Sequence, residues 1–418
     1  MSFVTKFRGC FFRPSLVCAI HSKATEPKRT PFYNFHLTEK AKLIEFCGYA
    51  MPIQYECQNI LESHHHVRKH CGIFDVSHML QVKVFGNDRV NFLESLTTAD
   101  LVNLPAGSGT LSVYLNEAGG ILDDVIINVC KEPYLYVVSN AACAEKISKH
   151  LKEKQETFRK LGKDVNVELL NDKALLAIQG PEAHEIVRTG ISPAEWPTFD
   201  DLFFMETAQF SSLFGLCLDS EPIRITRCGY TGEDGYEISL PAQLAVDLGH
   251  CLMKVKQVKP IGLAARDTLR LEAGMCLYGN DLDETTTPIE ASLNWLIGKR
   301  RRQFTAQPPF PGAEYVLNQL YKKSPITRKR IGLKGELGPQ ARPGSKIFAP
   351  QSDIQVGHVT SGCLSPTLGQ NIAMAYVKPE FISNGQELAV EIRKKLHKFT
   401  VCNIPFVPNR YVRRPKSK

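Results

Sequence analysis

The chain has 418 residues, 43% of them hydrophobic and 22% charged, and 51 Lys and Arg against 43 Asp and Glu give a formal charge of +8. That is enough apolar material for two or three domains with buried cores, which makes the chain globular. No run of about 18 apolar residues occurs, so neither a membrane-spanning helix nor a membrane partner is expected, and the thirteen cysteines are scattered without CxxC pairs, as ordinary buried thiols of a reducing compartment would be.

The first thirty residues, MSFVTKFRGCFFRPSLVCAIHSKATEPKRT, set Lys6, Arg8, Arg13, Lys23, Lys28 and Arg29 against the single acid Glu26. Without the compact apolar block of a secretory signal, this composition predicts a mitochondrial transit peptide over residues 1–30. MPIQY (51–55) then reads as a strand and ILESHHHVRKHC (60–71) as a helix capped by Asn59. His66 and His70 fall four apart in it, but no further ligand set is near, so it reads as a basic helix face with no metal.

HMLQVKVFG predicts a strand, NDRVNFLESLT a helix, and GTLSVYLNEAGGILDDVIINV (109–129) a hairpin whose second strand sets Asp123 and Asp124 side by side. Strand side chains alternate between faces, so the two carboxylates must diverge, and if one face packs on a core one of them is turned inward. Period two does not say which. YLYVVSN is another strand, and AEKISKHLKEKQETFRKLG a long polar helix ended by Gly162. Strands and helices mix without regular alternation, which favours an α+β fold over a doubly wound sheet.

A second mixed block runs from VNVELLN through ALLAIQG, PEAHEIVRTGI and PIRITRCGYTGEDGYEISL to the helix QLAVDLGHCLMKV, and ends near SLNWLIGKRRRQ. RCGYTGEDG carries glycines at 229, 232 and 235, but it runs from strand to strand and lacks GxGxxG spacing, which argues against a nicotinamide or other dinucleotide site. Glu237 lies among apolar strand neighbours, as an edge residue or an inward acceptor. In GLAARDTLRLEAG, Arg266 and Arg270 share a helix face, and like charges at that spacing need an anion opposite. Asp267 or Glu272 could supply it internally, which is the reading favoured by the residues alone; an anionic ligand is the alternative. KRRR (299–302), a short run without aromatics, reads as a solvated face and not as a nucleic-acid site. TAQPPFPG is a linker. Beyond it the short strands RKRIGLKG, GSKIFAP, IQVGHVTSG, NIAMAYV, QELAVEIRKK and KFTVCNIPF suggest a small β-barrel or sandwich.

Taken together, FDVSHM (74–79), NEAGGILDD (116–124), LYVVSN (135–140), RCGYTGEDGYEIS, GLAARDTLRLEAGMCLYGND (262–281), WLIGKRRR and VTSGCLSP (359–366) resemble the aminomethyltransferase (T-protein) family of the glycine cleavage system, from about residue 31 to 411. The resemblance implies a three-domain cloverleaf around a central hole that holds tetrahydrofolate, with two interleaved α+β domains over 31–305 and a β-rich domain over 312–412. It also implies roles. Asp124 is the catalytic carboxylate facing the cavity, with Asp123 turned away. Glu237 accepts from the pterin N–H groups, and Arg266 meets the glutamate tail of folate with help from Tyr411 in FVPNRYV. Asn140 and Tyr230 match pocket positions, and Met79 and Tyr114 line the pocket. Trp295 is assigned no role.

The implied reaction passes an aminomethyl carbon from the lipoyl sulfur of H-protein to tetrahydrofolate, releasing ammonia. Tetrahydrofolate is then a co-substrate, no flavin is needed, H-protein and the other glycine cleavage components are partners, and the mitochondrial matrix is the destination. Two other functions resemble this pattern in part. Sarcosine and dimethylglycine dehydrogenases join the same module to a flavin domain, for which 418 residues without a GxGxxG fingerprint have no room. Folate-binding proteins of iron–sulfur assembly use a cysteine in the loop where Cys228 stands here, but GILDD and the two arginine motifs favour the transferase.

Overall fold

The computed structural model describes residues 26–218 and 221–415. Of the leader expected over 1–30, the first 25 residues lie outside the described ones, but the last few are part of the fold. The Lys28 carbonyl accepts from Ala50 N at 2.9 Å, and the buried Thr30 hydroxyl donates to Asp75 at 2.6 Å.

The helix Ile60–Lys69 opens on a reciprocal cap, in which the Asn59 side chain accepts from Glu62 N and the Glu62 carboxylate accepts from Asn59 N, both at 2.9 Å. It ends before the expected residue 71, because Cys71–Asp75 is a strand buried at every position. That strand explains how two domains interleave. A five-stranded antiparallel sheet is ordered Ser108–Leu115, Ile121–Val129, Tyr134–Ser139, Leu80–Phe85, Asn166–Leu169. A six-stranded sheet is ordered Thr207–Phe210, Ile223–Thr226, Gly235–Pro241, Lys173–Gln179, Cys71–Asp75, Val258–Pro260. The chain therefore places one strand of the second sheet before it builds the first. Only the last of these pairings is parallel, as an α+β fold requires.

Both faces of the five-stranded sheet are covered. On one, Val82, Val125 and Ile127 share a core with Phe92 and Leu96 and with Ile147 and Leu151 of the helix Ala144–Lys160. On the other, Tyr136 and Val138 pack against Phe74, Leu175 and Ala177 of the six-stranded sheet and against Ala265 and Leu269 of the helix Leu263–Glu272. Each such apolar side chain contributes about 1.5–3 kcal/mol on burial. The second layer is partly polar: Tyr136 and Ser239 both donate to Gln81 Oε1, at 2.8 and 2.7 Å. The space between the sheets can thus hold hydrogen-bonding groups without water.

The third unit is a closed barrel ordered Lys329–Gly335, Gln370–Val377, Gln355–Ser365, Lys346–Phe348, Glu387–Ile392, Lys395–Cys402. Closure leaves it no open edge. The helix Ala313–Leu320 precedes it but packs elsewhere, since Val316 and Leu317 share a core with Val113, Leu115 and Ile121 of the hairpin. After the barrel the chain returns to the second domain, where Arg410 N donates to Gly232 O at 2.7 Å and Phe204 N to Val412 O at 2.8 Å.

KRRR is only in part the solvated face expected of it, since Lys299 and Arg300 are exposed but Arg301 is not. In this short turn Arg301 is only 4% exposed and pairs with Glu94, and Arg300 reaches Glu94 at 2.6 Å and Asp100 at 3.0 Å. Glu94 is buried at the end of the helix Arg89–Glu94, and a buried carboxylate is tolerated only when paired.

Candidate active site

The strand Ile121–Val129 separates its two acids as period two demands. Asp123 faces the helix-covered core and is 0% exposed; Asp124, with Ile126 and Asn128 after it, faces the second sheet. The expectation that only one of them is turned inward fails, because this sheet has no solvated face. Asn140, just past the strand Tyr134–Ser139, joins the two. Its backbone N–H donates to Asp123 Oδ2 at 3.0 Å, and its side-chain nitrogen lies 2.8 Å from Asp123 Oδ1, 2.7 Å from Asp124 Oδ1 and 3.1 Å from the Asp124 carbonyl. Asp124 Oδ2 receives no hydrogen bond from another described residue. Desolvation pushes Asp124 up to about 6, against the Asn140 bond, with the Asp281 charge raising it further and Arg266 lowering it. Desolvation and the Asp124 charge push Asp123 up to about 8. The two titrate as a coupled pair.

Arg266 and Arg270 stand on the same helix with opposite fates. Arg270 donates to Asp267, Asp281 and Ser361, each at 2.9 Å, and to the Met275 carbonyl at 3.0 Å. Glu272, the other internal partner considered for it, belongs instead to Arg68 and His64, at 2.7 and 3.1 Å. Arg266 has no hydrogen bond or ion pair among the described residues. It lies over the ring of Tyr230, 4.3 Å from the centroid, while the Tyr230 hydroxyl donates to the Cys276 carbonyl. Burial lowers the Arg266 pKa without neutralising so strong a base.

Glu237 sits on the strand Gly235–Pro241 in a narrow cavity between the sheets that Asn128, Tyr136, Val138, Thr226 and Cys228 also line. Desolvation raises its carboxyl, opposed by the Arg266 charge and by the Cys228 thiol. Tyr411 closes this end. Its ring stacks on Phe204 at 4.0 Å with 13° between planes, and its buried hydroxyl has no partner. Cys228 is itself buried, and its thiol is pushed far up by desolvation and then by Glu237, which suits a packed thiol and not a reactive one.

The structure thus brings together Asp124, Asn140, Tyr230, Arg266, Glu237 and Tyr411, drawn from both sheets, one helix and the returning C-terminal segment. Met79 packs on the apolar cluster between the sheets. Tyr114 does not join them: it pairs with Asp123 across the hairpin and is wholly buried on that face, in the core with Val125 and Ile127. Trp295 stands 60% exposed. Asn128 was missed, although it lies on the Asp124 face two positions beyond Ile126. It is 1% exposed and neither amide atom has a partner. Gly109 opposite it leaves room for this amide, since a Cβ there would lie 2.3 Å from Asn128 Oδ1 and the Asn128 side chain would have to move.

Among the described residues, no group of three or more His, Cys, Asp or Glu is placed to hold a metal, and no helix is long and apolar enough to cross a membrane. The histidine pair is otherwise engaged, with His66 Nε2 between the carbonyls of Gln257 at 2.8 Å and Cys71 at 3.1 Å.

Residues 32–301 match the GCVT N-terminal domain and residues 328–408 the glycine cleavage T-protein C-terminal barrel domain. The chain is 46% identical over 408 residues to the mitochondrial aminomethyltransferase of Homo sapiens, covering 97% of this chain and 96% of that one. It is 41% identical over 389 residues to its counterpart in Saccharomyces cerevisiae, covering 92% and 95%. The crystal structure of the glycine cleavage system aminomethyltransferase T from Bartonella henselae superposes with a TM-score of 0.82 at 36% identity, covering 93% of this chain and all of that one.

Proposed function

This chain belongs to the T-protein family of the glycine cleavage system, and from that premise we propose how its residues carry the reaction. It is a mitochondrial, folate-dependent aminomethyltransferase that works with the other components of that system. In the proposed reaction the lipoylated H-protein brings an aminomethyl group on sulfur. The carbon–sulfur and carbon–nitrogen bonds break, two carbon–nitrogen bonds form to tetrahydrofolate, and the two folate N–H protons end on sulfur and on ammonia. The carbon stays at the formaldehyde level, so no electrons are exchanged.

The observation that carries this assignment is a group of polar side chains on adjoining elements that the protein leaves wholly or largely unpaired: the Arg266 guanidinium, Asp124 Oδ2, the Tyr411 hydroxyl, and the Glu237 carboxylate, whose one partner is the Cys228 thiol. Buried charges are otherwise paired, so such a set fits a ligand with its own acids and N–H donors. Glu237 then accepts from the pterin amino and ring N–H groups, and Arg266 and Tyr411 hold the glutamate tail. Asp124 Oδ2 accepts from the reacting nitrogen and stabilises the cationic carbon as ammonia leaves, an electrostatic effect of about 3 kcal/mol. Domain limits of 31–305 and 312–412, with removal of the leader before about Thr30, complete the proposal, the helix Ala313–Leu320 of the second unit packing back on the hairpin of the first. Purified protein given aminomethylated lipoyl carrier should release ammonia in proportion to tetrahydrofolate; release that does not depend on folate would overturn the assignment.

A further inference from the structure

Asp123 has no part in the scheme above, yet it is tied through Asn140 to the carboxylate that does. Asn140 gives it a backbone and a side-chain hydrogen bond, at 3.0 and 2.8 Å, and the same side-chain nitrogen serves Asp124 Oδ1 at 2.7 Å and its carbonyl at 3.1 Å. Two amide hydrogens are shared by three oxygens, so what Asp123 draws is withheld from Asp124.

No cation contacts Asp123 among the described residues. The titratable groups around it are Asp124 on its own strand, Tyr114 on the paired strand, Cys143 on the turn Ala141–Cys143 and Tyr278 on the loop after the helix Leu263–Glu272. Lys146 lies beyond Cys143 and is taken by Tyr278 at 2.9 Å and Glu284 at 2.7 Å. Around Asp124 stand Arg266, Asp281, Tyr230, Cys276 and Cys143.

We infer that Asp123 is a positioning residue for the transfer: it fixes Asn140, and through that amide the rotamer of Asp124 that leaves Oδ2 open to the reacting nitrogen. Burial and the neighbouring charge keep Asp123 protonated at neutral pH, with its carboxyl up at about 8. The protonated acid is the weaker acceptor and leaves an amide hydrogen to Asp124. Its ionisation at higher pH draws the amide back and sets a second negative charge beside the first, so turnover falls on a basic limb as the Asp123–Asp124 pair loses its second proton.

The inference rests on Asp124 being the reacting carboxylate. The test is kcat and the KM for tetrahydrofolate between about pH 6 and 9.5 in wild type, Asp123→Asn and Asn140→Ala, with Asp124→Asn as control. An amide at 123 offers one carbonyl to two donors and turns its own NH2 against the other. Asp123→Asn should therefore lose about tenfold in kcat at pH 7 with KM within twofold and the thermal midpoint unchanged, and its basic limb should vanish. Asn140→Ala removes the hydrogen bonds that favour the ionised Asp123, so its basic limb must move to higher pH, which decides the matter if Asp123→Asn does not fold. A wild-type limb in either folded variant, or a fall in kcat tracked by KM and thermal midpoint, would overturn the inference. Substantial kcat in Asp124→Asn would instead overturn the underlying assignment, so the two failures are distinguishable.

Discussion

One helix, Leu263–Glu272, carries two regions that treat buried charge in opposite ways. At its C-terminal end Arg270 and Glu272 are saturated. Glu272 accepts from Arg68, His64, Ser365 and Thr367, at 2.7, 3.1, 2.5 and 2.7 Å, and so ties the second domain to the barrel. One turn earlier Arg266 faces Asp124 and Glu237 across a gap and bonds to neither. Satisfied charge marks a joint of the fold, and charge left open marks the place of a ligand. The first should matter to stability and the second to function.

The largest effect belongs to the joint. Glu272→Ala leaves His64 without its acceptor and Arg68 with Glu233 alone, at 2.8 Å, so the loss, to be read from urea denaturation, should approach but not exceed the cost of a buried pair broken from one side, about 3–5 kcal/mol. Burial alone would raise this carboxyl, but the His64 and Ser365 hydrogen bonds and the Arg68 charge bring it down to about 2 from 4.5. A folded pKa below the unfolded one gives stability that is present above the unfolded value and lost as pH falls through the folded one. The gap between wild type and Glu272→Gln should therefore narrow as pH drops from about 4.5 towards 2. A gap independent of pH would mean that Glu272 acts by packing alone.

At the open end the sign reverses. Asp124 titrates above its unfolded value, so its ionised form costs stability as pH rises through about 6, and Asp124→Asn should be as stable as wild type or more so. Its kcat should nonetheless fall by 100-fold or more, about 3 kcal/mol, with folate affinity within about threefold. Wild-type turnover should rise through about pH 6 as this group ionises. A variant that loses folding rather than turnover would place Asp124 with the joints.

Arg266→Ala sharpens the contrast within the helix. It should weaken tetrahydrofolate binding tenfold or more, the loss of a charge-assisted contact worth about 1.5–3 kcal/mol, while stability stays within about 0.5 kcal/mol of wild type. Calorimetric titration and thermal melting together check it. Unchanged affinity would remove Arg266 from the site.

How much of this was legible depended on whether the deciding partner was near in sequence. Spacing showed that Arg266 and Arg270 share a face and need an anion. It could not show that Asp281 on the following loop and Ser361 of the barrel would saturate only the second, because those contacts depend on how the units meet. Alternation separated Asp123 from Asp124, but the residues alone could not reveal that both sides of the sheet are covered. Tyr114 was placed in the pocket by the resemblance, and its pairing with Asp123 in a hairpin that contains a bulge turns it to the other face. The strand Cys71–Asp75 was not read at all, and its first residue was counted as the end of a helix, since a segment buried on both faces shows no alternation to mark it. The Phe204–Tyr411 stack joins the second domain to the returning tail and leaves no local trace.

The smallest predicted effect concerns the N-terminal edge, where composition and structure divide the same residues differently. Lys28 and Arg29 were counted with the basic leader, yet Lys28 bonds along the strand Tyr49–Tyr55 and Arg29 lies over the Tyr33 ring at 4.6 Å. Thr30 donates to Asp75, which also bonds His36 at 2.9 Å, and His36 in turn bonds the Tyr55 hydroxyl at 2.9 Å. A chain that starts at Pro31 loses the Thr30 hydrogen bond to a buried carboxylate and the Lys28 pairing, whereas one that starts at Glu26 keeps both. The first should be less stable by about 1–2 kcal/mol, with kcat unchanged because neither contact reaches the folate side. Thr30→Val in the longer chain separates the two losses, since it removes the hydroxyl and leaves the backbone pairing. Equal stability of the two starts would show that this edge adds nothing, and that cleavage as late as residue 30 leaves the fold intact.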